Sequence, residues 1–250
     1  MVRIYSEEDD EGPKIDKETV LNFFEVRARK AKILGPTQAV IYQDKAPALA
    51  KARDEAEKNL LYPLIDISKE HRVLDAGCGT GRWVKEIAPN CASYHGVDAS
   101  PGLINIAKEL YDQLLNVNFS VCSTENLTLN AIGENKPFDR IISFGVYIYL
   151  NDADVEASLS RLAKMAKKEA RILFREPIGI GRKLTIKEHF SDELEQEYSA
   201  IYRTERELHD LFRKFLFPEG FKLIESGDVY KDNNLNNRED TKQRFFVLVR

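Results

Sequence analysis

The residues best suited to chemistry lie in one short run, where glycines alternate with other residues after an aspartate. Asp75 is followed by Gly77, Gly79 and Gly81, at the point where an apolar strand gives way to a helix. Glycine adopts positive φ and leaves room for a ligand against the backbone. Asp98 ends the next predicted strand, where a carboxylate can accept both hydroxyl hydrogens of a ribose. The run therefore predicts a nucleotide-binding turn.

The spacing of this turn distinguishes two classes of nucleotide site. A dinucleotide site has the pattern G-x-G-x-x-G and sets a helix N-terminus against a pyrophosphate, whereas this chain has D-x-G-x-G-x-G. The Asp75 carboxylate would repel a phosphate at close range. It suits a cationic amino group, such as that of a ligand with a methionine portion. A nicotinamide oxidoreductase remains an alternative.

The segment from Leu74 to Gly81 resembles the first motif of the class I S-adenosylmethionine-dependent methyltransferases, and the resemblance covers about residues 70–176. It implies an α/β fold: a Rossmann-like, seven-stranded, mostly parallel sheet with helices on both faces and an antiparallel C-terminal hairpin. It also implies S-adenosyl-L-methionine as cofactor. The implied cofactor contacts are Asp75, Gly77, Gly79, Gly81, Asp98, Ala99, Ser123, Thr124, Phe144 and Gly145.

Aromatic residues near these motifs are candidates for further contacts. Trp83, in the first turn after the glycines, could cover the methionine portion of the cofactor, or it could belong to the core. Tyr42 lies in the N-terminal segment that covers the cofactor in similar enzymes, and Tyr149 stands where many relatives have histidine. We expect Tyr42 and Tyr149 to contact the acceptor, with a structural role for Tyr149 as the alternative.

The glycine turn and its acids must be positioned by alternating strands and helices, which is the pattern of a parallel sheet covered on both faces. We expect residues 1–69 to form an acidic leader and a helical lid, and residues 70–250 to form the sheet, within one domain. Residues 177–219 are predicted to be a helical insert on the substrate side, with Ile186–Tyr202 helical. Phe221–Tyr230 and Arg244–Val249 are predicted to close the sheet as an antiparallel pair, joined by a hairpin loop.

Acceptor residues should follow the fourth and fifth predicted strands. Methyl transfer is an in-line displacement that depends mainly on alignment, and a base is needed only when the acceptor must lose a proton. Glu176, at the end of the fifth strand, and His189 and Tyr198 in the insert are the candidate catalytic residues. Tyr202 and Arg203 are predicted to bind a polar acceptor, with Arg203 clamping an anionic group.

Charge and composition exclude several classes of protein. The chain has 37 basic and 41 acidic residues and a formal net charge of −4, which disfavours nonspecific nucleic-acid binding. It contains neither an Asn/Asp-Pro-Pro-Tyr/Phe motif nor an apolar run near the ~20 residues of a membrane span. The acidic N-terminus differs from a secretory signal, and the 3 cysteines form no CxxC pair, so we expect a cytoplasmic protein without a metal site.

The sequence thus predicts an S-adenosylmethionine-dependent methyltransferase that modifies an oxygen or nitrogen of a small-molecule acceptor in specialised metabolism. A protein or peptide amino-terminal N-methyltransferase is an alternative, because residues 197–204 loosely resemble such enzymes. A non-catalytic cofactor-binding module is an alternative of another class. No nucleic-acid or membrane partner is expected, and the sequence makes no prediction about oligomeric state.

Overall fold

The computed structural model describes residues 3–6, 12–231, 233–236 and 238–250. The helices are α1 (Lys17–Leu34), α2 (Pro36–Ile41), α3 (Pro47–Ile65), α4 (Val84–Ile87), α5 (Pro101–Tyr111), α6 (Asp152–Met165) and α7 (Glu205–Phe215). The strands are β1 (Arg3–Ser6), β2 (Arg72–Ala76), β3 (Ser93–Asp98), β4 (Val117–Val121), β5 (Phe138–Phe144), β6 (Ala166–Gly179), β7 (Lys183–Ser191), β8 (Gln196–Tyr202), β9 (Lys222–Asp228) and β10 (Thr241–Val249).

Seven strands form the central sheet, in the order β4-β3-β2-β5-β6-β10-β9. The pairings from β4 through β6 are parallel, and β10 pairs antiparallel with both β6 and β9. The predicted fold class and the closing antiparallel pair are therefore confirmed. The strand order reverses between β2 and β5, so a crevice opens at the carboxyl ends of these strands, where ligands of such sheets bind.

Side chains of the central strands alternate between two apolar layers. Leu74 and Ile141 pack with residues of α6 and α7 on one face, whereas Val73 and Ile142 pack with residues of α3, α4 and α5 on the other. All four are fully buried. A strand that is buried on both faces reads as an unbroken apolar run, which explains why the sequence located these strands well.

The predicted helix at Ile186–Tyr202 is wrong, because the segment forms an antiparallel hairpin of β7 and β8. Apolar residues recur here every four positions, as in a helix, but the run is interrupted by left-handed backbone at Glu188 and Glu195, with φ of 47° and 46°. Leu184 and Tyr202 pair across the two strands. The insert therefore contains a hairpin followed by α7, and only the helix at 205–215 matches the prediction.

Part of the predicted acidic leader forms a strand. Arg3–Ser6 forms β1, which pairs antiparallel with β7 and completes a three-stranded sheet. Residues 7–11, which carry the acidic run, lie outside the described residues. β1 is a strand because it pairs with β7, which lies far away in the sequence, so no local pattern could predict it.

Specific polar contacts fasten the N-terminal helices to the sheet. Arg27 in α1 is fully buried and donates two hydrogen bonds to the Asp44 carboxylate, at 2.7 and 2.6 Å. Glu25 accepts hydrogen bonds from the Ser100 hydroxyl and from the Gly102 backbone N–H at the start of α5. Thr80 of the glycine turn donates to the Pro36 carbonyl at 3.0 Å. These contacts set α1 and α2 over the carboxyl ends of the strands.

Within the described ranges, no helix combines the length and the apolar character that crossing a bilayer requires.

Candidate functional site

The glycine turn after β2 has the backbone geometry that the sequence predicts. Gly77, Gly79 and Gly81 have φ of 89°, 55° and 76°, a region that other residues adopt only with strain. A Cβ on Gly77 would lie 2.2 Å from Cγ2 of Val146, so the turn and the loop after β5 approach each other closely. Glycine is required here by both conformation and space.

Asp98 stands at the end of β3 and joins two adjacent loops. One of its carboxylate oxygens accepts from the Gly79 backbone N–H and the other from the Ser100 backbone N–H, both at 2.9 Å. Desolvation raises the pKa of Asp98, although these hydrogen bonds oppose the shift. Each oxygen has further lone pairs, so the carboxylate can still accept from a diol.

Asp75 is almost completely buried at the end of β2. Its carboxylate accepts a hydrogen bond from the Tyr94 hydroxyl. Burial raises the pKa of Asp75 to about 7, with the charges of Arg82 and Asp98 acting in opposite directions. A cationic ligand group beside this carboxylate would restore its ionised form.

A cavity of about 190 Å³ lies over the glycine turn, and we call it the loop cavity. Every predicted cofactor residue except Gly81 lines it. The Thr124 hydroxyl and Trp83 Nε1 are buried without a hydrogen-bond partner among the described residues, and both residues line the cavity. A ligand that accepts or donates hydrogen bonds there would satisfy them. The core role and the cavity role of Trp83 coexist, because its ring also packs against Phe144 at 4.9 Å.

A second cavity of about 430 Å³ adjoins the first, and we call it the outer cavity. It is enclosed by the N-terminal helices, the β7–β8 hairpin and the segment before β10. The residues that line both cavities are Val40, Tyr42, Phe144, Gly145, Tyr149 and Arg175. This shared set is the junction, where a group bound in one cavity can meet a group bound in the other.

Aromatic side chains form one wall of the junction. The rings of Tyr42 and Tyr149 contact each other edge-to-face with their centres 6.5 Å apart, and the Tyr149 ring also packs edge-to-face on Phe24 with a centre-to-centre distance of 4.9 Å. Burial raises the pKa of Tyr42 to about 12, so its hydroxyl stays protonated at neutral pH. The two tyrosines can therefore orient an acceptor through hydrogen bonds, and neither is ionised to act as a base.

Three arginines of the outer cavity were missed by the sequence reasoning: Arg53 in α3, Arg175 in β6 and Arg238 before β10. Arg175 donates to the Glu57 carboxylate at 3.1 Å and approaches Gly145 so closely that a Cβ there would lie 2.6 Å from its Nη1. For Arg175, the sequence offered one signal: it lies at the end of the fifth predicted strand, next to Glu176, which the sequence analysis chose as a catalytic residue.

Glu176 lines neither cavity, which corrects its predicted role as a base facing the acceptor. Its side chain is 1% exposed and accepts from the backbone N–H groups of Val146 and Tyr147, at 2.9 and 3.1 Å. Burial raises the pKa of Glu176 to about 7. Strand alternation explains the difference: Arg175 faces the cavities, so the next residue faces the other side of the sheet.

Two residues of the insert are also displaced from their predicted roles. Arg203 is buried and donates to the Asp152 carboxylate and to the carbonyls of Tyr147 and Leu150, both at 2.7 Å. It lines neither cavity and fastens the loop after β5 instead of clamping an acceptor. His189 also lies outside both cavities, and its ring packs against Tyr198, which lines the outer cavity.

Tyr198 and Tyr202 do line the outer cavity, as the predicted acceptor region requires. Their hydroxyls both accept hydrogen bonds from Arg238. The described residues contain no group of three or more histidine, cysteine or acidic side chains that could hold a metal ion.

Comparison with known proteins agrees with this geometry. Residues 73–169 match the family described as "Methyltransferase domain". The magnesium-protoporphyrin O-methyltransferase of Rhodobacter capsulatus is 34% identical over 116 residues, which are 46% of this chain and 49% of that protein. The matched region is thus about half the length of this curated relative.

Solved structures extend the likeness over most of the chain. Phosphoethanolamine N-methyltransferase 1 of Haemonchus contortus aligns with a TM-score of 0.69 at 18% identity, over 94% of this chain and 50% of that one. An S-adenosylmethionine-dependent methyltransferase of Leishmania major aligns with a TM-score of 0.63 at 17% identity, over 90% and 82%. At these identities the likeness concerns the fold.

Proposed function

We propose that this chain, whose residues 73–169 match a methyltransferase domain, is a class I S-adenosylmethionine-dependent methyltransferase that transfers a methyl group to an oxygen or nitrogen of a small-molecule acceptor. The observation that carries the proposal is the junction, where the loop cavity and the outer cavity share Phe144, Gly145 and Tyr149. A cavity of about 430 Å³ suits a small molecule.

The residues of the loop cavity fit the proposed cofactor. Asp98 would accept from the ribose hydroxyls, Thr124 would bond the adenine end, and Asp75 would pair with the amino group of the methionine portion. Gly77 and Gly79 line this cavity with positive φ, so the cofactor would lie against bare backbone there. S-adenosylmethionine, when bound, supplies an electrophilic methyl group on a sulfonium centre.

The chain's own contribution to transfer is alignment. Tyr42 and Tyr149 would hold the acceptor by hydrogen bonds at the junction, and Phe144 would limit its movement. The carboxylates that line the outer cavity are Glu57, which is paired with two guanidinium groups, and Glu193. The site is therefore best suited to a nucleophile that reaches the junction already unprotonated, such as a neutral amine.

The Haemonchus contortus enzyme was solved in complex with phosphoethanolamine and S-adenosylhomocysteine. Phosphoethanolamine is a small amine, and this supports nitrogen over oxygen as the methylated atom in our proposal. A protein or peptide amino terminus is the second candidate, favoured by the same lack of an unpaired base at the junction. A peptide acceptor differs from a small molecule because the site must leave an open path for the rest of the peptide chain.

The proposal is tested by incubating the purified chain with methyl-labelled S-adenosylmethionine and fractions of a metabolite extract, with peptides bearing free amino termini in parallel. Mass spectrometry should find a labelled small-molecule product and an equal amount of S-adenosylhomocysteine. Label in the peptides alone would favour the second candidate. Cofactor binding without transfer would indicate a binding module, and preferential binding of a nicotinamide nucleotide would contradict the proposal.

A further inference from the structure

We infer that the outer cavity is an oxyanion site, and that the acceptor carries a phosphate group bound by Arg53 and Arg238. The inference rests on the proposed function for the role of the cavity and adds the chemical class of the acceptor. Both arginines line the part of the outer cavity that the loop cavity does not share. A molecule bound there would present its other end to the junction.

Arg238 is held in the cavity by neutral groups. Its guanidinium donates to the Tyr202 hydroxyl at 3.2 Å and to the Tyr198 hydroxyl, and it lies over both rings at 5.6 and 5.7 Å from their centres. Among the residues that the structure describes, no carboxylate lies within ion-pair distance of it. The two tyrosines thus fix the direction of the fork without neutralising its charge, and Asp240, which acts on Arg238 at longer range, is already paired with Arg3.

Arg53 lines the same cavity from α3 and contacts the segment that carries Arg238. It is 5% exposed, and its Nε donates to the Leu235 carbonyl at 2.8 Å. Burial lowers the pKa of this guanidinium, and the described part of the chain places no carboxylate in an ion pair with it. Burying an unpaired charge is costly unless a counter-charge is present in the working state of the protein.

The charges of the remaining lining residues are matched except for that of Glu193, which accepts a hydrogen bond from the Lys45 backbone N–H and acts on Arg53 at longer range. Glu57 is bonded to Arg82 and Arg175, and Lys242 pairs with Asp228 at 3.0 Å. Outside the described ion pairs, the cavity lining holds two cationic side chains, Arg53 and Arg238, against one acidic one, Glu193. An anionic group would offset this excess of positive charge, and two guanidinium forks match the oxygens of a phosphate dianion.

The experiment is calorimetric titration of inorganic phosphate into the full chain saturated with S-adenosylhomocysteine, in a chloride buffer. We expect Arg238→Gln and Arg53→Gln each to weaken phosphate binding by about tenfold or more, the effect of losing a charge-assisted hydrogen bond. Arg213→Gln is the matched control, because Arg213 is exposed on α7 and pairs only with Asp210 among the described ion pairs. Arg53→Lys retains the charge should Arg53→Gln fail to fold, and it should bind phosphate with intermediate affinity.

The outcomes separate this inference from the function on which it rests. Binding of S-adenosylhomocysteine without any binding of phosphate would overturn the oxyanion site and leave the proposed function standing. Equal phosphate binding by the wild type, the cavity variants and the control would also overturn it. Acetate binding as tightly as phosphate would contradict the dianion assignment. Failure of S-adenosylhomocysteine itself to bind would contradict the proposed function, and the inference would fall with it.

Discussion

The buried carboxylate of Glu176 accepts a hydrogen bond at 2.9 Å from the backbone N–H of Val146. Through this bond, strand β6 holds the loop after β5 in place, and that loop carries Gly145 at the junction of the two cavities. The Glu176 carboxylate thus positions this loop, whereas the side chain that reaches the cavities is that of the preceding residue, Arg175.

Glu176→Gln should retain most of the turnover. The amide oxygen of glutamine can still accept from the backbone N–H groups of Val146 and Tyr147, and no proton transfer is lost because the residue lines neither cavity. Steady-state rates across pH 6 to 9, a range of about three units around the raised pKa, provide the measurement. A loss of more than tenfold above pH 7, together with loss of the wild-type rise in rate through that pH, would restore Glu176 as a base.

The same substitution should change how stability depends on pH. The pKa of Glu176 is raised from 4.5 to about 7 in the folded protein, so the folded state holds a proton that the unfolded chain releases as pH rises through this window. Stability is therefore highest at and below the unfolded pKa and falls as pH rises to about 7, by up to ~3 kcal/mol. Urea unfolding at pH 5 and pH 8 should show a smaller decrease for Glu176→Gln. Parallel curves for the two proteins would contradict the shift.

The affinity for S-adenosylhomocysteine should fall as pH falls below about 7. Asp75 has its pKa raised to about 7 by burial, and the cationic amino group of the ligand favours the ionised form, so acid conditions require an extra deprotonation on binding. The expected slope approaches tenfold per pH unit. Calorimetry on Asp75→Asn, which cannot titrate, should give weaker binding with a flatter profile, and an unchanged slope would assign the titration to another group.

Asp98→Ala should weaken S-adenosylhomocysteine binding by about 2–4 kcal/mol, which is about 30-fold to 1,000-fold. The substitution removes the proposed ribose contact and also leaves the Gly79 and Ser100 backbone N–H groups without their acceptor. Titration calorimetry measures the effect, and circular dichroism checks the fold. Unchanged affinity in a folded variant would remove Asp98 from the site.

Thr124→Val should weaken cofactor binding without destabilising the free protein. The Thr124 hydroxyl is buried and lacks a partner among the described residues, so its removal leaves nothing unpaired, while a bound cofactor loses a hydrogen bond of about 1 kcal/mol. Thr185→Val is the matched control, because the Thr185 hydroxyl is equally buried and unpartnered but lies outside both cavities. Equal effects of the two variants on affinity would contradict the assignment.

Gly145→Ala and Gly133→Ala form another matched pair. Their φ values are 72° and 71°, so both alanines meet the same backbone strain, about 1 kcal/mol. A Cβ at Gly145 also lies 2.6 Å from Nη1 of Arg175, whereas nothing lies within 4 Å of one at Gly133. Because a flexible guanidinium can move, we expect similar thermal stability but a raised acceptor KM for Gly145→Ala alone. Equal KM values would show that Arg175 does not have to stay in place.

The sequence located the glycine turn of the loop cavity because the parts of that turn are local. The strand before the glycine turn, the turn itself and Asp98 lie within 27 residues of one another, from Arg72 to Asp98. Burial on both faces of the sheet and the φ requirements of glycine leave direct marks on residue type. The parallel strands and the nucleotide-binding turn followed from those marks, and the seven-stranded fold and the cofactor residues followed from the family resemblance that the motif carries.

The set of residues that line the outer cavity is established only by the tertiary structure. Arg53 and Leu235 are 182 positions apart and still share a hydrogen bond, and an arginine in a charged helix has the same local pattern whether it faces solvent or a cavity. Strand alternation turned Arg175 toward the site and Glu176 away from it, a difference of one residue that only the register with β5 and β10 fixes. The pairing of β1 with β7 and the fold of the 183–202 hairpin likewise depend on distant partners. The sequence therefore predicted most of the glycine-turn side of the loop cavity and four tyrosines of the outer cavity, Tyr42, Tyr149, Tyr198 and Tyr202, but not the arginines of the outer cavity.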